Sequence, residues 1–381
     1  QGLVFNPDNN YVALSGISST QFQMTLNGDR GSSTNSNINV NATPATGFAG
    51  NDVVYLPFAV TIGTVDLLGG NDSLTLYNGT NVLTVANTET ITGGTGSDTV
   101  TLATTMTNGS INLGNGTDVL TLAAGTNSLS ATNIETILGT SSNDTLTLNN
   151  SQSGTLINLG AGTDVLILVD GSNTIGAIDV ETIYSKGLGT VSNDTLTFTN
   201  TQLGTTINFG FGNDTVYLAA GTNTINAIDI ENIAGTSSDD TLTLLNTQSG
   251  TLFNLGSGID TLNLAAGTNT IGVSGTEIIY GTSSDDTLTF TNTQSGTTIN
   301  LGLGNDRLNL ANGYNTIGAI GIEMIVGTGS NNSLTLTTTQ TGTSISLGGG
   351  TNSLNLASGA NTISTTGVQS IYGTSYNDTL T

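Results

Sequence analysis

Residues 281–310 read GTSSDDTLTFTNTQSGTTINLGLGNDRLNL. In this stretch Asp286 and Asp306 are each followed by apolar residues two and four positions later, as Leu308 and Leu310 follow Asp306. Alternation of apolar and polar residues with a period of two is typical of a strand with one buried face. The Gly, Asn, Thr and Ser residues between these runs have the composition of turns. The stretch therefore predicts short strands joined by turns, with an aspartate just before a strand.

The same pattern recurs along the chain in two interleaved series of acidic positions. Successive members of a series are 46 residues apart, as Asp98 is from Asp52, except for one step of 50 residues in each series. The additional residues of the longer step are 185–188. A constant period of this length indicates a solenoid of stacked coils. One series consists of Asp52, Asp98, Asp144, Asp194, Asp240, Asp286, Asn332 and Asp378, and the other of Asp72, Asp118, Asp164, Asp214, Asp260, Asp306 and Asn352.

Each 46-residue unit is predicted to contain four strands and four turns, folded as two coils of about 20 and 26 residues. In this register every acidic turn lies on one edge of the stack, and the Thr-Gln-Ser-Gly and Ala-Gly-Thr-Asn turns lie on the other. An alternative register, one wide coil per unit, would place Glu89, Glu135 and their equivalents about 4.8 Å apart in a column. Repulsion between unpaired like charges favours two coils. The predicted fold is all-β, a right-handed parallel β-solenoid (β-roll or β-helix) of about fifteen coils.

The chain divides into two predicted segments. Residues 1–46 have no acidic turn in register, and we predict that they form an N-terminal cap or a junction to a preceding domain, because the end of a solenoid exposes strand edges. Residues 47–381 form the repeat region. The chain starts at Gln1 and stops at Thr381 within a repeat, which indicates a piece of a longer protein.

The composition excludes several classes of function. The chain has no Cys and no His, so the usual nucleophile–base pairs and most transition-metal sites cannot be built. Three basic residues against 27 acidic ones give a net charge of −24. Nucleic acids and anionic lipids need cations on the protein, so neither is an expected partner, and no apolar run predicts insertion into a membrane. The acids are repeated identically in the units, which indicates an architectural role, and we expect no enzymatic activity.

The acidic turns have the chemistry of calcium sites. Glycines at alternate positions let the backbone turn its carbonyl oxygens inward, and the aspartate adds an anionic oxygen. Stacked turns then offer a line of oxygen ligands, which suits Ca²⁺ and not zinc. The alternative is that these aspartates only form turns, where Asp is common in any case. The predicted metal ligands are Asp52, Asp72, Asp98, Asp118, Asp144, Asp164, Asp194, Asp214, Asp240, Asp260, Asp286, Asp306 and Asp378.

The turns that end in Asp118, Asp164 and Asp214 resemble the nonapeptide repeat G-G-x-G-x-D-x-L-x of the RTX, or haemolysin-type, calcium-binding family. The resemblance covers roughly residues 47–381 and implies that Ca²⁺ lies between stacked turns, bound by aspartate and backbone carbonyl oxygens. The chain departs from the family pattern, because Leu or Phe usually replaces the first glycine and the other series has Gly-Thr-Ser-Ser. Calcium binding is therefore less certain in that series. Binding should also weaken at Asn332 and Asn352, where amide ladders are an alternative.

A column of glutamates has two interpretations. It either binds additional calcium or an intermolecular partner, or it forms a solvated face. Each glutamate precedes an Ile or Thr-Ile strand. The members are Glu89, Glu135, Glu181, Glu231, Glu277 and Glu323, followed by Gln369.

The resemblance implies a secreted protein, located outside the cell or on its surface. It points to surface-layer proteins and large RTX adhesins of Gram-negative bacteria. We predict a calcium-stabilised repeat rod of a surface layer or extracellular filament, with self-association as the main interaction and cell-surface polysaccharide as a second candidate partner. The alternatives are an adhesin stalk or a ligand-binding module, including an ice-binding one, since outward threonine ladders also occur on ice-binding solenoids.

Overall fold

The computed structural model describes residues 47, 50–56, 59–187 and 191–381, together with the backbone of five short strands before residue 47. The described residues form strands and turns, and no helix occurs among them. No helix in this part of the chain is therefore long and apolar enough to cross a membrane. The chain consists of two compact units, Gln1–Lys186 and Gly187–Thr381, so the division falls inside the predicted four-residue insertion.

The first unit contains twenty strands. They are β1 (Val4–Asn6), β2 (Tyr11–Ala13), β3 (Met24–Thr25), β4 (Ser36–Asn39), β5 (Ala45–Thr46), β6 (Asp52–Tyr55), β7 (Gly63–Asp66), β8 (Ser73–Thr75), β9 (Val82–Ala86), β10 (Thr90–Gly94), β11 (Thr99–Leu102), β12 (Thr107–Gly114), β13 (Val119–Thr121), β14 (Ser128–Thr132), β15 (Thr136–Thr140), β16 (Thr145–Leu148), β17 (Ser153–Gly160), β18 (Val165–Leu168), β19 (Ser172–Ile178) and β20 (Thr182–Ser185).

The second unit contains the remaining described strands. They are β21 (Thr195–Phe198), β22 (Leu203–Asn208), β23 (Thr215–Tyr217), β24 (Thr224–Ile228), β25 (Asn232–Thr236), β26 (Thr241–Leu244), β27 (Ser249–Gly256), β28 (Thr261–Asn263), β29 (Thr270–Ser274), β30 (Ile278–Thr282), β31 (Thr287–Phe290), β32 (Ser295–Gly302), β33 (Arg307–Asn309), β34 (Gly313–Ile320), β35 (Met324–Val326), β36 (Asn332–Leu336), β37 (Thr341–Ser346), β38 (Ser353–Asn355), β39 (Thr362–Thr366), β40 (Ser370–Tyr372) and β41 (Thr379–Leu380).

Within each unit the strands build two parallel sheets. From β3 onward, odd-numbered strands pair with odd-numbered strands and even-numbered with even-numbered, so each coil gives one strand to each sheet. The predicted all-β solenoid is confirmed, with about sixteen turns in place of fifteen. The hand of the coil stays a prediction.

The predicted cap, residues 1–46, lies mostly outside the described residues. Strands β1 and β2 form an antiparallel pair. Strands β3, β4 and β5 pair in parallel with their neighbours in the two sheets of the first unit. The parallel sheets therefore begin before residue 47, and a capping role for the earlier residues stays a prediction.

Each 46-residue unit contains five strands and not the predicted four. In the unit that starts at Asp98 these are β11 to β15. The uncounted strand is β15, which follows Glu135 and pairs with β13 and β17. Ile137 is the only residue of β15 that is fully buried. The strand therefore lacks the alternation of buried and half-buried residues that identified the other strands. Five strands are two and a half coils, and successive units therefore start on opposite sheets.

The odd strand number changes the predicted register in two ways. Residues in adjacent coils are 17, 20 or 21 positions apart, and five coils span two 46-residue units. The predicted coils of about 20 and 26 residues, two per unit, are therefore wrong. The acidic turns also alternate between the two edges, because Asp52 and Asp144 precede strands of the even sheet and Asp98 precedes a strand of the odd sheet. The prediction that every acidic turn lies on one edge is wrong for the same reason.

The space between the two sheets is filled by single rows of aliphatic side chains. Strands such as β16 alternate half-buried Thr with fully buried Leu, as Leu146 and Leu148 show. Burying one such side chain is worth roughly 1.5–3 kcal/mol. The core fixes which residues of each coil point inward, and with them the position of each aspartate at the coil's edge.

Candidate metal site

Each edge of the stack carries a column of polar residues that repeats every five coils. In the second unit one such column reads Gln202, Asn223, Asp240, Asp260 and Glu277. The backbone N–H of each donates to the side-chain oxygen of the next, at N···O distances of 3.0, 2.8, 2.7 and 2.9 Å. Stacked coils are thus joined by side-chain oxygens as well as by the sheets.

The two aspartates and the glutamate of one column, on three successive coils, are here called an acidic trio. Asp240, Asp260 and Glu277 are one example. Within every trio the first aspartate's N–H donates to Oδ1 of the second at 2.6–2.7 Å. The six trios are Asp52/Asp72/Glu89, Asp98/Asp118/Glu135, Asp144/Asp164/Glu181, Asp194/Asp214/Glu231, Asp240/Asp260/Glu277 and Asp286/Asp306/Glu323.

The structure brings the predicted ligands together in pairs. Twelve of the thirteen predicted aspartates are at most 3 % exposed. Asp378 is half-buried, and its pKa is lowered by hydrogen bonds from the Asn361 side-chain and backbone N–H groups. One aspartate of each pair belongs to each of the two turn series. Both turn series therefore contribute to the same place.

Most of these carboxylates have one oxygen without a partner. Oδ1 accepts a hydrogen bond from the preceding coil, whereas Oδ2 is buried and has no hydrogen-bond partner among the described residues. An unsatisfied buried acceptor costs about 1–3 kcal/mol, and more when it is charged. A buried carboxylate oxygen that lacks a hydrogen-bond partner in repeat after repeat indicates that a proton or a cation binds there. The oxygens belong to Asp72, Asp98, Asp118, Asp144, Asp164, Asp214, Asp240, Asp260, Asp286 and Asp306.

The surroundings of the orphaned oxygen are also acceptors. An ideal Cβ on Gly235 would lie 2.8 Å from Asp240 Oδ2 and 2.1 Å from the Leu255 carbonyl oxygen. Both oxygens therefore border the space that this glycine leaves free. Two acceptors facing one space repel each other unless a positive group lies between them.

One repeat contains amides in place of all three acids. Asn332, Asn352 and Gln369 are here called the amide trio. Asn332 Nδ2 lies where Asp240 has Oδ2, and it donates to the Leu347 carbonyl oxygen at 3.0 Å. The same position that is left unsatisfied by a carboxylate is thus satisfied by a hydrogen-bond donor. The predicted amide ladder is present at these residues.

The donor set of an acidic trio fits calcium. It consists of carboxylate and carbonyl oxygens, which Ca²⁺ prefers, and it contains no nitrogen or sulfur ligand. Among the described residues no three Asp, Glu, His or Cys side chains converge on a common point, so a bound ion must take part of its ligands from backbone carbonyls. The aspartates are buried and the glutamates are half-buried or exposed, which leaves one side open to solvent.

The second aspartate of each trio has a raised pKa. Burial, together with the charges of the neighbouring aspartate and glutamate, raises the pKa of Asp72, Asp118, Asp164, Asp214, Asp260 and Asp306 to about 6. The hydrogen bond from the preceding coil opposes this rise. Burial also raises the pKa of Asp98.

A pH dependence follows for the calcium-free chain. The folded pKa of about 6 exceeds the ordinary 3.8, so the folded state binds more protons than the unfolded state between these values. We expect the midpoint of thermal unfolding in EGTA to be highest near pH 4 and to fall as the pH rises through about 6. Circular dichroism melts across this range measure it. A midpoint that rises steadily from pH 4 to pH 7 would contradict the assignment.

The hydrogen bonds of the glutamate and asparagine side chains in this column were not predicted from the sequence. The glutamates were read either as a solvated face or as additional calcium ligands, whereas Glu277 Oε2 accepts the backbone N–H of Asp260 at 2.9 Å. The Asn and Gln turns, placed on the opposite edge, occupy the same edges as the acids. Asn223 Nδ2 donates to Asp240 Oδ1 at 2.9 Å. The constant separation of 17 residues between these partners was a usable signal, because it equals one coil.

No protein-family model matches the chain, and no curated protein matches it. The resemblance to the RTX family therefore stays a prediction, carried by the turn motifs alone.

Proposed function

We propose that the chain is an extracellular structural protein, a calcium-stabilised repeat rod of a bacterial surface layer or extracellular filament. The observation that carries this proposal is the buried, unpartnered Oδ2 repeated in the acidic trios on both edges. Such oxygens, of which Asp240 Oδ2 lies beside the Leu255 carbonyl oxygen, favour a bound hard cation. The Oδ2 atoms and carbonyls such as that of Leu255 would hold the ion, which supplies the positive charge that the chain lacks.

Calcium binding would couple folding to location. Extracellular calcium modules typically bind with dissociation constants of about 10⁻⁴–10⁻³ M. Trios of this affinity would stay empty at cytosolic calcium levels and fill outside the cell. Because an ion that binds only the folded state stabilises it, secretion would trigger folding.

The repetition supports an architectural role. The six trios contain 18 of the 27 acidic residues. Their first aspartates donate to the second at nearly the same distance, although Asp194 Oδ2 also accepts a hydrogen bond from the Ser192 hydroxyl. A catalytic site normally uses one distinctive cluster. Self-association through the repeat surface is the proposed interaction, and polysaccharide of the cell surface is a further candidate partner.

An adhesin stalk or ligand-binding module, including an ice-binding one, is the alternative, and electron microscopy of the purified chain separates the two. We expect filaments or sheets in millimolar calcium and none in EGTA. Magnesium at the same concentration is the matched control, since Mg²⁺ demands a smaller octahedral site. Particles that stay monomeric in calcium would contradict the surface-layer proposal and favour a stalk.

A further inference from the structure

The acid and amide versions of the trio never mix within the described units. Six units have two aspartates and a glutamate, and one has Asn332, Asn352 and Gln369 at all three positions. The hydrogen bonds do not explain why acids and amides never mix within one trio. Asn332 N–H donates to Asn352 Oδ1 at 2.7 Å and Asn352 N–H to Gln369 Oε1 at 2.6 Å, close to the distances in acidic trios. An amide could therefore replace any single acid and preserve the ladder.

The two versions differ in charge and in the second polar atom of each side chain, which is an oxygen in the acids and a nitrogen in the amides. Asn352 Nδ2 contacts the carbonyl oxygens of Gly349 at 3.0 Å and Gly367 at 2.7 Å. The equivalent atom of Asp260 is an unpartnered, fully buried oxygen. The amide NH₂ groups thus occupy the place where an acidic trio needs a positive group.

From these contacts we infer that each acidic trio acts as a single cation site spread over three coils. The two buried aspartates supply ligand oxygens, and the glutamate is a positioning residue whose charge sets the affinity. The amide trio is the cation-free version of the same site, and it makes its coils independent of calcium. This inference rests on the proposed calcium binding, and it adds the unit of binding, the role of the glutamate and a calcium-independent segment.

The glutamate's position explains its role. Glu277 Oε2 accepts the N–H of Asp260, which fixes the turn that carries the second aspartate. Its carboxylate therefore lies one hydrogen bond from the backbone of a proposed ligand. Neutralising Glu277 should leave the ladder intact and weaken cation binding, because the amide oxygen of Gln accepts the same hydrogen bond.

The test compares full-length variants by equilibrium dialysis with ⁴⁵Ca and by thermal melts with and without calcium. We expect D240N/D260N/E277Q to fold and to lose about one sixth of the bound calcium, since six trios share the ion equally. E277Q alone should retain the fold and bind calcium about 10- to 100-fold more weakly at that trio. The matched control is D170N, an exposed acid outside the trios whose Oδ1 accepts a hydrogen bond from the Ser185 hydroxyl; it should change neither quantity.

A triple variant in the opposite direction keeps the inference testable if D240N/D260N/E277Q misfolds. N332D/N352D/Q369E should bind more calcium than the unmodified chain and melt at a lower temperature at a limiting calcium concentration. Unchanged calcium binding in both triple variants would overturn the inference while leaving calcium stabilisation of the whole chain intact. If E277Q behaves like D170N, the role assigned to the glutamate is wrong. An unmodified chain that binds no calcium would overturn the proposed function as well.

Discussion

In excess EGTA at neutral pH the chain is expected to lose most of its β-sheet circular dichroism, and added calcium is expected to restore it. Without a cation, ten buried carboxylate oxygens have no partner among the described residues. Each unsatisfied acceptor costs about 1–3 kcal/mol. A typical domain is stable by only about 5–15 kcal/mol, so a few empty trios suffice to unfold it.

The far-ultraviolet circular dichroism of β-sheet, followed during a calcium titration, measures this transition. Lowering the pH to about 4 in EGTA is the matched control, because protonation of the aspartates should restore part of the signal without any metal. Magnesium in place of calcium should restore much less. A full β-sheet spectrum in EGTA at neutral pH, unchanged by calcium, would show that the trios are not cation sites.

The sequence predicts the repeat and the buried rows of the solenoid well. Alternation around Leu146 and Leu148 identifies the buried face because each strand there has two inward apolar residues. The 46-residue spacing of the aspartates makes the coils equivalent, so one correct unit predicts all of them. These features depend on local periodicity, which a sequence displays directly.

The edge on which a turn lies depends on counting every strand, and one miscount changes every later assignment. Strand β15 contributes Ile137 as its single buried aliphatic residue, and it is a strand because β13 and β17 pair with it on either side. That support comes from residues about one coil away in each direction. Local periodicity marks only the Ile or Thr-Ile that follows each glutamate, so the edge on which each trio lies could not be predicted from the turns alone.

The sequence predicts which residues form the candidate site, but it does not predict how they are arranged. The sequence predicted Asp240 and Asp260 as ligands and placed them in a line of stacked turns on one edge. In the structure they are buried, adjacent and held by Oδ1, which turns Oδ2 toward backbone carbonyls. Burial matters because a solvated carboxylate needs no partner from the protein, whereas a buried carboxylate does.

A glycine beside the site is expected to be the most sensitive single position. Replacing Gly235 by Ala should destabilise the chain by about 3 kcal/mol or more, because the new Cβ would lie 2.1 Å from the Leu255 carbonyl oxygen. That oxygen belongs to the backbone of the next coil, so no side chain can move aside. The Cβ would also lie 2.8 Å from Asp240 Oδ2 and displace that carboxylate. Both stability and calcium affinity should therefore fall.

Gly250 provides the matched control. Its φ is +79°, but nothing lies within 4 Å of an added Cβ. Gly250→Ala should cost only roughly 1–2 kcal/mol, the price of a left-handed backbone, and should leave the calcium titration unchanged. Urea unfolding in saturating calcium gives the two stabilities, and the calcium midpoint at fixed urea gives the two affinities. If both variants lose the same stability and keep the same calcium midpoint, the contact between Gly235, Leu255 and Asp240 does not form the site. A larger loss at Gly235 in both measurements places the cation between neighbouring coils, against the carbonyl of one and the carboxylate of the other.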